Sequence, residues 1–207
     1  MRKPPRLYFS FRSPRSWLAV RQLTERWPDA PEAVTFVPHW VPDGALRTSL
    51  AEADAGFLDT PVSRAKHTYL LAGTDRLVRR FGYRMVWPAE VDVDWAGPHL
   101  AWLYACEQQR GWQFYQAMVR ARWERGENLG DRAVVAAAAA EAGVDPVGAN
   151  AAATDPAMRA LAVAALASAY QDDIFAVPYF VVGRHRFWGL DRLDGFLDAV
   201  RTAGVRG

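Results

Sequence analysis

The sequence predicts an α/β fold made of a β-α-β half, a large all-helical insertion and a β-β-α half. Three observations carry this reading. Short apolar, aromatic runs suited to strands stand near the two ends of the chain, at residues 7–11, 33–37 and 179–182. A serine–proline pair, Ser13-Pro14, directly follows the first run, where it can cap and open a helix. The long stretch between the second and third runs is helix-patterned and rich in alanine. With 207 residues, 51% of them hydrophobic, the chain can bury the core of one domain.

After Ser13-Pro14, the residues Trp17, Leu18, Val20, Leu23 and Trp27 recur at roughly helical spacing, and Pro28 ends the helix. Two strands flanking a helix imply a parallel pair joined by a right-handed crossover. Residues 43–61 have little period and read as a loose connection. Helices are predicted over 62–81, 95–109, 112–125 and 131–142, with Gly82, Gly111 and Gly143 as breaks. Asp145-Pro146 and Asp155-Pro156 each pair a cap with a first-turn proline and open two more. A hairpin follows, with strand 179–182, a turn at Gly183-Arg184 and strand 186–188. A closing helix over 190–203 carries Leu193, Phe196, Leu197 and Val200 on one face. The whole chain, 1–207, reads as one domain, with residues 1–42 and 174–207 as the sheet-bearing part and 43–173 as the helical insertion.

Several function classes are excluded or disfavoured by composition. Cys106 is the single cysteine, so no dithiol–disulfide chemistry can run within the chain. His39, His67, His99 and His185 form no ligand spacing with one another or with Cys106, so no metal is expected. Net charge is +2, with acidic residues scattered among the basic ones, which is no nucleic-acid footprint. The basic start is not followed by a signal-peptide apolar region, and residues 133–140 are too short an apolar run to span a bilayer. The expectation is a cytoplasmic protein with no membrane partner.

Two segments stand out chemically. One is the strand-to-helix turn Phe11-Arg12-Ser13-Pro14-Arg15-Ser16. The other is Ala176-Val177-Pro178-Tyr179-Phe180, where a proline at the edge of an apolar strand makes sense as a cis X-Pro turn. The backbone of Val177 could then meet a peptide-like ligand. A serine at a helix N-terminus cannot cycle electrons, but it can donate a hydrogen bond to a thiolate or enolate.

These segments carry a resemblance. Tyr8-Phe9-Ser10-Phe11-Arg12-Ser13-Pro14-Arg15-Ser16-Trp17-Leu18-Ala19 is similar to the opening of the 2-hydroxychromene-2-carboxylate isomerase family. Phe175–Gly183, followed by Phe187-Trp188-Gly189-Leu190-Asp191-Arg192-Leu193, resembles that family's cis-proline segment and tryptophan-glycine signature. The family is close to kappa-class glutathione transferases, and both sit within the DsbA-like thioredoxin folds. The resemblance therefore implies a thioredoxin-like fold with a helical insertion. In redox relatives the turn before the first helix holds Cys-x-x-Cys, and Ser13-Pro14-Arg15-Ser16 stands in that place. The resemblance gives Ser13 the role of stabilising a bound thiolate, with glutathione or another low-molecular-weight thiol as cofactor. It gives Lys66, the backbone of Val177 before Pro178, Leu190 and Asp191 as thiol contacts, Asp191 suiting an α-amino group. Family members tend to be homodimers.

The implied activity is cis–trans isomerisation of a conjugated double bond in a small carbonyl substrate, free or tethered to a carrier. A kappa-type glutathione S-transferase and a non-catalytic binding module are the alternatives. This sequence departs from the family at three places: Arg15 stands where tyrosine is usual, Phe57 about where asparagine is expected, and Pro38-His39-Trp40-Val41-Pro42 where the family is glycine-rich. Trp40, His39 and Arg15 are therefore expected at a remodelled substrate pocket. Each assignment has a plain counterpart. Ser13 can be only a cap, Lys66 a surface lysine, Asp191 a helix cap, and His39 and Trp40 loop residues. Cys106 reads either as a core residue or as an internal nucleophile replacing glutathione.

Overall fold

Four short strands form one mixed sheet in the computed structural model, which describes residues 3–58, 60–89 and 93–204. Met1 and Arg2 of the basic start lie outside the described residues. The strands are β1 (Arg6–Phe9), β2 (Thr35–Pro38), β3 (Tyr179–Val182) and β4 (His185–Trp188), in the order β2-β1-β3-β4. β1 and β2 are parallel, joined through helix α1 (Pro14–Arg26), while β3 runs antiparallel to both β1 and β4. The expected β-α-β and β-β-α halves are thus present, with the helical insertion between them.

Strand alternation sorts the sheet's side chains onto two faces. On one face Tyr8, Val37, Tyr179 and Val181 form a buried cluster with Ala169 and Ile174. Ala169 belongs to helix α9 (Pro156–Gln171). On the other face Phe9 meets Phe36 edge-on at 6.4 Å, and Phe180 lies 4.9 Å from Phe196 of the closing helix α10 (Leu193–Thr202). α10 is tied to α1 by the ion pair between Arg26 and Asp194. A 3-10 turn precedes it: residues Leu190–Arg192 form that turn rather than the first turn of the helix.

Two helices lie where the sequence shows no helical period. α2 (Ala30–Ala33) is a single turn. α3 (Gly44–Glu52) corrects the reading of 43–61 as wholly loose. Asp43 caps it, its carboxylate accepting from the Leu46 N–H at 2.7 Å, and Leu46 and Leu50, four apart, are both buried.

The chain forms two compact units, Met1–Leu58 with Ala160–Gly207, and Asp59–Arg159. The second contains α4 (Arg64–Arg80), α5 (Ala96–Glu107), α6 (Gly111–Val119), α7 (Arg132–Ala142) and α8 (Pro146–Ala151). α6 runs on into a π-helical turn, Arg120–Glu124, where the Arg122 guanidinium lies over the rings of Trp95 and Trp123, 5.1 and 5.3 Å from their centroids. α7 begins at a capping Asp131 and ends at Gly143 with φ 70°, a left-handed conformation that glycine adopts without strain. α5 and α8 approach closely because Gly148 has no side chain. A Cβ there would stand 2.0 Å from the Tyr104 Oη.

Candidate functional site

The parallel pairing of β1 with β2 and the antiparallel pairing of β3 and β4 bring four chain segments to one end of the sheet. These are the turn after β1, the stretch after β2, the approach to β3 and the exit from β4. They hold Ser13 and Arg15, Trp40, Val177 and Pro178, and Leu190 and Asp191 respectively. Seven of the nine candidate residues thus belong to one unit and share one sheet end.

Ser13 is the N-cap of α1, in extended conformation with φ −95° and ψ 111°. Its Oγ accepts from the Ser16 N–H at 3.1 Å, and its own hydroxyl hydrogen has no acceptor among the described residues. The capping role and a free donor therefore coexist on one half-buried side chain. Pro14 has no N–H, so the Arg15 amide is the unpaired donor of the first turn. No acidic residue stands in that turn. The Arg15 Nε is buried with no hydrogen-bond partner among the described residues. Ser16 differs from Ser13. It is fully buried, and its Oγ accepts from the Ser10 N–H at 3.3 Å, which fixes the turn.

The Val177–Pro178 peptide bond is cis. No described residue hydrogen-bonds the Val177 N–H or C=O. The Pro178 carbonyl accepts from the Gly189 N–H at 3.0 Å, which ties this loop to the exit from β4. Gly189 has φ 95°, a conformation that an L side chain resists, and a Cβ there would meet Asp191 Oδ1 at 2.6 Å. Asp191 itself is exposed, 3.5 Å from the Arg192 Nε, and makes no cap hydrogen bond to either helical turn.

Trp40 is buried, as is His39, whose N–H donates to the Phe9 carbonyl at 2.7 Å. The His39 ring stacks on Phe57 at 4.9 Å, and the Arg47 guanidinium lies over the Phe57 ring, 5.7 Å from its centroid. Phe57, an asparagine position by resemblance, is here part of an aromatic wall beside the end of β2.

A buried polar network was not legible in the sequence. The Tyr8 hydroxyl donates to Asp172 Oδ2 at 2.6 Å, and Arg6 reaches the same oxygen through Nε at 2.7 Å and Nη2 at 2.6 Å. Ser168 Oγ lies 3.1 Å from the Tyr8 hydroxyl. Burial and the Asp172 carboxylate push the Tyr8 phenol up to about 12. Asp172 stands just before Ile174, so the network pins the start of the segment that leads to Val177. Nothing local marks it, because its partners are 164 and 166 positions apart.

Lys66 and Cys106 belong to the other unit. Lys66 is exposed in the first turn of α4, where its backbone N–H donates to the capping Ser63 Oγ at 3.2 Å. Cys106 is half-buried near the end of α5, under Gly111. A Cβ on Gly111 would stand 2.4 Å from its Sγ. Burial, reinforced by Glu107, pushes the Cys106 thiol up to about 12. A thiol held that high stays protonated at neutral pH, a poor starting point for a nucleophile. Among the described residues no group of three or more His, Cys, Asp or Glu side chains is placed to hold a metal, and no helix is long and apolar enough to cross a membrane.

Comparison with known proteins is consistent with this geometry. The family described as DSBA-like thioredoxin domain matches residues 6–201. The 2-hydroxychromene-2-carboxylate isomerase of Sphingobium xenophagum is 28% identical over 200 residues, covering 96% of this chain and 98% of that protein. Among solved structures, a 2-hydroxychromene-2-carboxylate isomerase superposes with a TM-score of 0.73 at 19% identity, covering 98% of this chain and 99% of the other. A probable DsbA oxidoreductase from Streptomyces coelicolor gives 0.72 at 17% identity, with 98% and 91% covered. The cytosolic disulfide reductase DsbM of Pseudomonas aeruginosa, solved with GSH, gives 0.61 at 15% identity, with 96% and 98% covered.

Proposed function

We propose a function for a chain that belongs to the DSBA-like thioredoxin domain family, as the match over residues 6–201 establishes: it catalyses cis–trans isomerisation of a conjugated double bond, with Ser13 at the centre of the site. The observation that carries this is the Ser13 turn. It keeps the helix-end position used for thiol chemistry in redox relatives, holds no sulfur, and presents an unused hydroxyl donor beside a helix N-terminus with no acidic residue in its first turn. The likeness in sequence to a 2-hydroxychromene-2-carboxylate isomerase supports the same reading.

A double bond in conjugation with a carbonyl does not rotate until its π bond is broken. A bound low-molecular-weight thiol, glutathione or a relative of it, would supply the thiolate that adds reversibly to the electron-poor carbon and leaves again after rotation. The residues present fit such a group. Ser13 would donate to its sulfur, the N–H and C=O of Val177 would meet a peptide-like backbone, and Asp191 would take an ammonium. The Arg15 guanidinium and amide, at the positive end of α1, would hold charge developing on the substrate oxygen. Lys66 is assigned to the same ligand by resemblance alone.

The test is to follow isomerisation of an aryl-enoate or polyene by absorbance, with and without reduced glutathione, in wild type, Ser13→Ala and Cys106→Ala. Turnover that needs glutathione and is lost in Ser13→Ala supports the reading. Turnover without added thiol that is lost in Cys106→Ala moves the nucleophile to Cys106. Accumulation of a glutathione conjugate in place of the isomer supports a kappa-type transferase. If neither substitution alters turnover, the site assignment is wrong.

A further inference from the structure

Three serines spaced three apart close a ring of hydrogen bonds in the turn after β1. The Ser13 N–H donates to the Ser10 carbonyl at 3.0 Å. The Ser10 N–H donates to Ser16 Oγ at 3.3 Å. The Ser16 N–H donates back to Ser13 Oγ at 3.1 Å and to the Ser13 carbonyl at 3.0 Å. Ser10 Oγ adds a further bond, accepting from the Arg12 N–H at 3.3 Å. The ring begins where the sheet ends. Phe9 is the last residue of β1, and its carbonyl accepts from the His39 N–H at 2.7 Å. One residue later the backbone turns away from β2, and the Ser16 side chain meets the Ser10 N–H there.

Burial separates the roles of the serines. Ser16 is 0% exposed and Ser10 7%, whereas Ser13 is half-buried. A side chain with no exposed surface does not meet a substrate, so Ser16 is no second catalytic group, although it stands where redox relatives hold their second cysteine. Its neighbours along α1, Trp17, Leu18, Ala19 and Val20, are buried as well. A hydroxyl in such surroundings costs free energy unless it is hydrogen-bonded, and the bond it makes is to the Ser10 backbone. Ser10 in turn holds Ser13 through its carbonyl. We propose that Ser16 is a positioning residue: through Ser10 it fixes the Ser13 backbone, and with it the direction of the Ser13 hydroxyl. This rests on the isomerase reading, in which that hydroxyl is the donor at the centre of the site. Ser16→Ala keeps the N–H that Ser13 caps and removes only the oxygen that holds Ser10, so it loosens the turn without deleting the cap.

The test compares kcat and KM for aryl-enoate isomerisation, at saturating glutathione, in wild type, Ser16→Ala, Ser13→Gly and the double variant. Ser16→Ala should lower kcat about tenfold and move KM less than about twofold, because a misplaced donor weakens the transition state and leaves ground-state binding alone. In the Ser13→Gly background, Ser16→Ala should change kcat less than about twofold, since its effect runs through a hydroxyl already absent. Ser16→Thr keeps the oxygen and should hold kcat within about threefold of wild type. Ser16→Cys, close to serine in size but a weak acceptor, should fall in the same direction as Ser16→Ala and replaces it if the alanine variant does not fold. Gly148→Ala, destabilised in the other unit by the Tyr104 hydroxyl, should retain the wild-type kcat and controls for lost stability. An unchanged kcat in Ser16→Ala, full additivity in the double variant, or equal losses in Ser16→Ala and Ser16→Thr overturns the positioning role alone. Wild type without turnover, or turnover that survives Ser13→Gly, overturns the isomerase reading and the role of Ser16 with it.

Discussion

Replacing Asp172 by alanine should destabilise the protein by about 3 kcal/mol. The carboxylate accepts from the Tyr8 hydroxyl at 2.6 Å and from Arg6 at 2.7 and 2.6 Å, all on one oxygen. The Arg6 and Asp172 side chains are only 12% and 14% exposed. Removing the acid strands a guanidinium in poor contact with water, a loss of about 3–5 kcal/mol for a fully buried pair. The residual exposure argues for the lower end of that range. Tyr8 is spared part of the cost, because Ser168 Oγ remains 3.1 Å away. For a chain of this size about 3 kcal/mol lowers the melting temperature by roughly 6–12 °C. Asp172→Asn should fall between, keeping shape and losing charge. A double-mutant cycle with Tyr8→Phe should give a coupling energy of about 1 kcal/mol or more. Thermal and urea unfolding measure all of this. A loss below about 1 kcal/mol in Asp172→Ala, or strict additivity with Tyr8→Phe, would refute the reasoning.

The Tyr8 phenol, raised from 10.0 to about 12, favours folding in its neutral form, so its contribution is complete below pH 10 and is lost as pH rises through about 12. Unfolding followed by circular dichroism between pH 9 and 12 should therefore show a steeper stability loss in wild type than in Tyr8→Phe, and identical slopes would contradict the buried network. Gly111→Ala drives a Cβ to within 2.4 Å of the Cys106 Sγ and should cost about 1–3 kcal/mol, while Gly111→Ala with Cys106→Ala should recover most of that loss. Gly148→Ala should be destabilised by a similar amount through the Tyr104 ring, measured by the same denaturant midpoints. The Cys106 thiol should react with a thiol-alkylating reagent at neutral pH far more slowly than free cysteine, because its thiolate is scarce below about pH 12. Labelling at the free-cysteine rate would reverse that assignment.

Much of the fold was readable because its signals are local. Ser13-Pro14, Asp131 with Gly143 and Asp145-Pro146 mark helix ends by capping chemistry, and the structure places helix boundaries there. α3 was missed because its apolar face is only Leu46 and Leu50, too sparse to register as a period within a polar stretch. The π-helical turn at Arg120–Glu124 has no sequence signature, since it differs from an α-helix only in which carbonyl each N–H finds. At the site, Ser13 and Val177 could be named because each sits in a distinctive turn. The open donors on Arg15 could not, since they follow from what the first turn of α1 fails to contain. The Arg6–Tyr8–Asp172 network joins residues from opposite ends of the chain, so only the packing of α9 against β1 could reveal it.

The most direct test of Ser13 separates its two roles with glycine. Glycine is tolerated as an N-cap at a cost of a few tenths of a kcal/mol, so Ser13→Gly should keep the wild-type melting temperature within about 1 °C while deleting the hydroxyl donor. With an aryl-enoate substrate and saturating glutathione, the isomerisation rate of Ser13→Gly should fall about 10²-fold, the usual consequence of removing one donor to developing negative charge. A Ser13→Gly protein that isomerises at the wild-type rate would reduce Ser13 to a helix cap and contradict the proposed function at its centre.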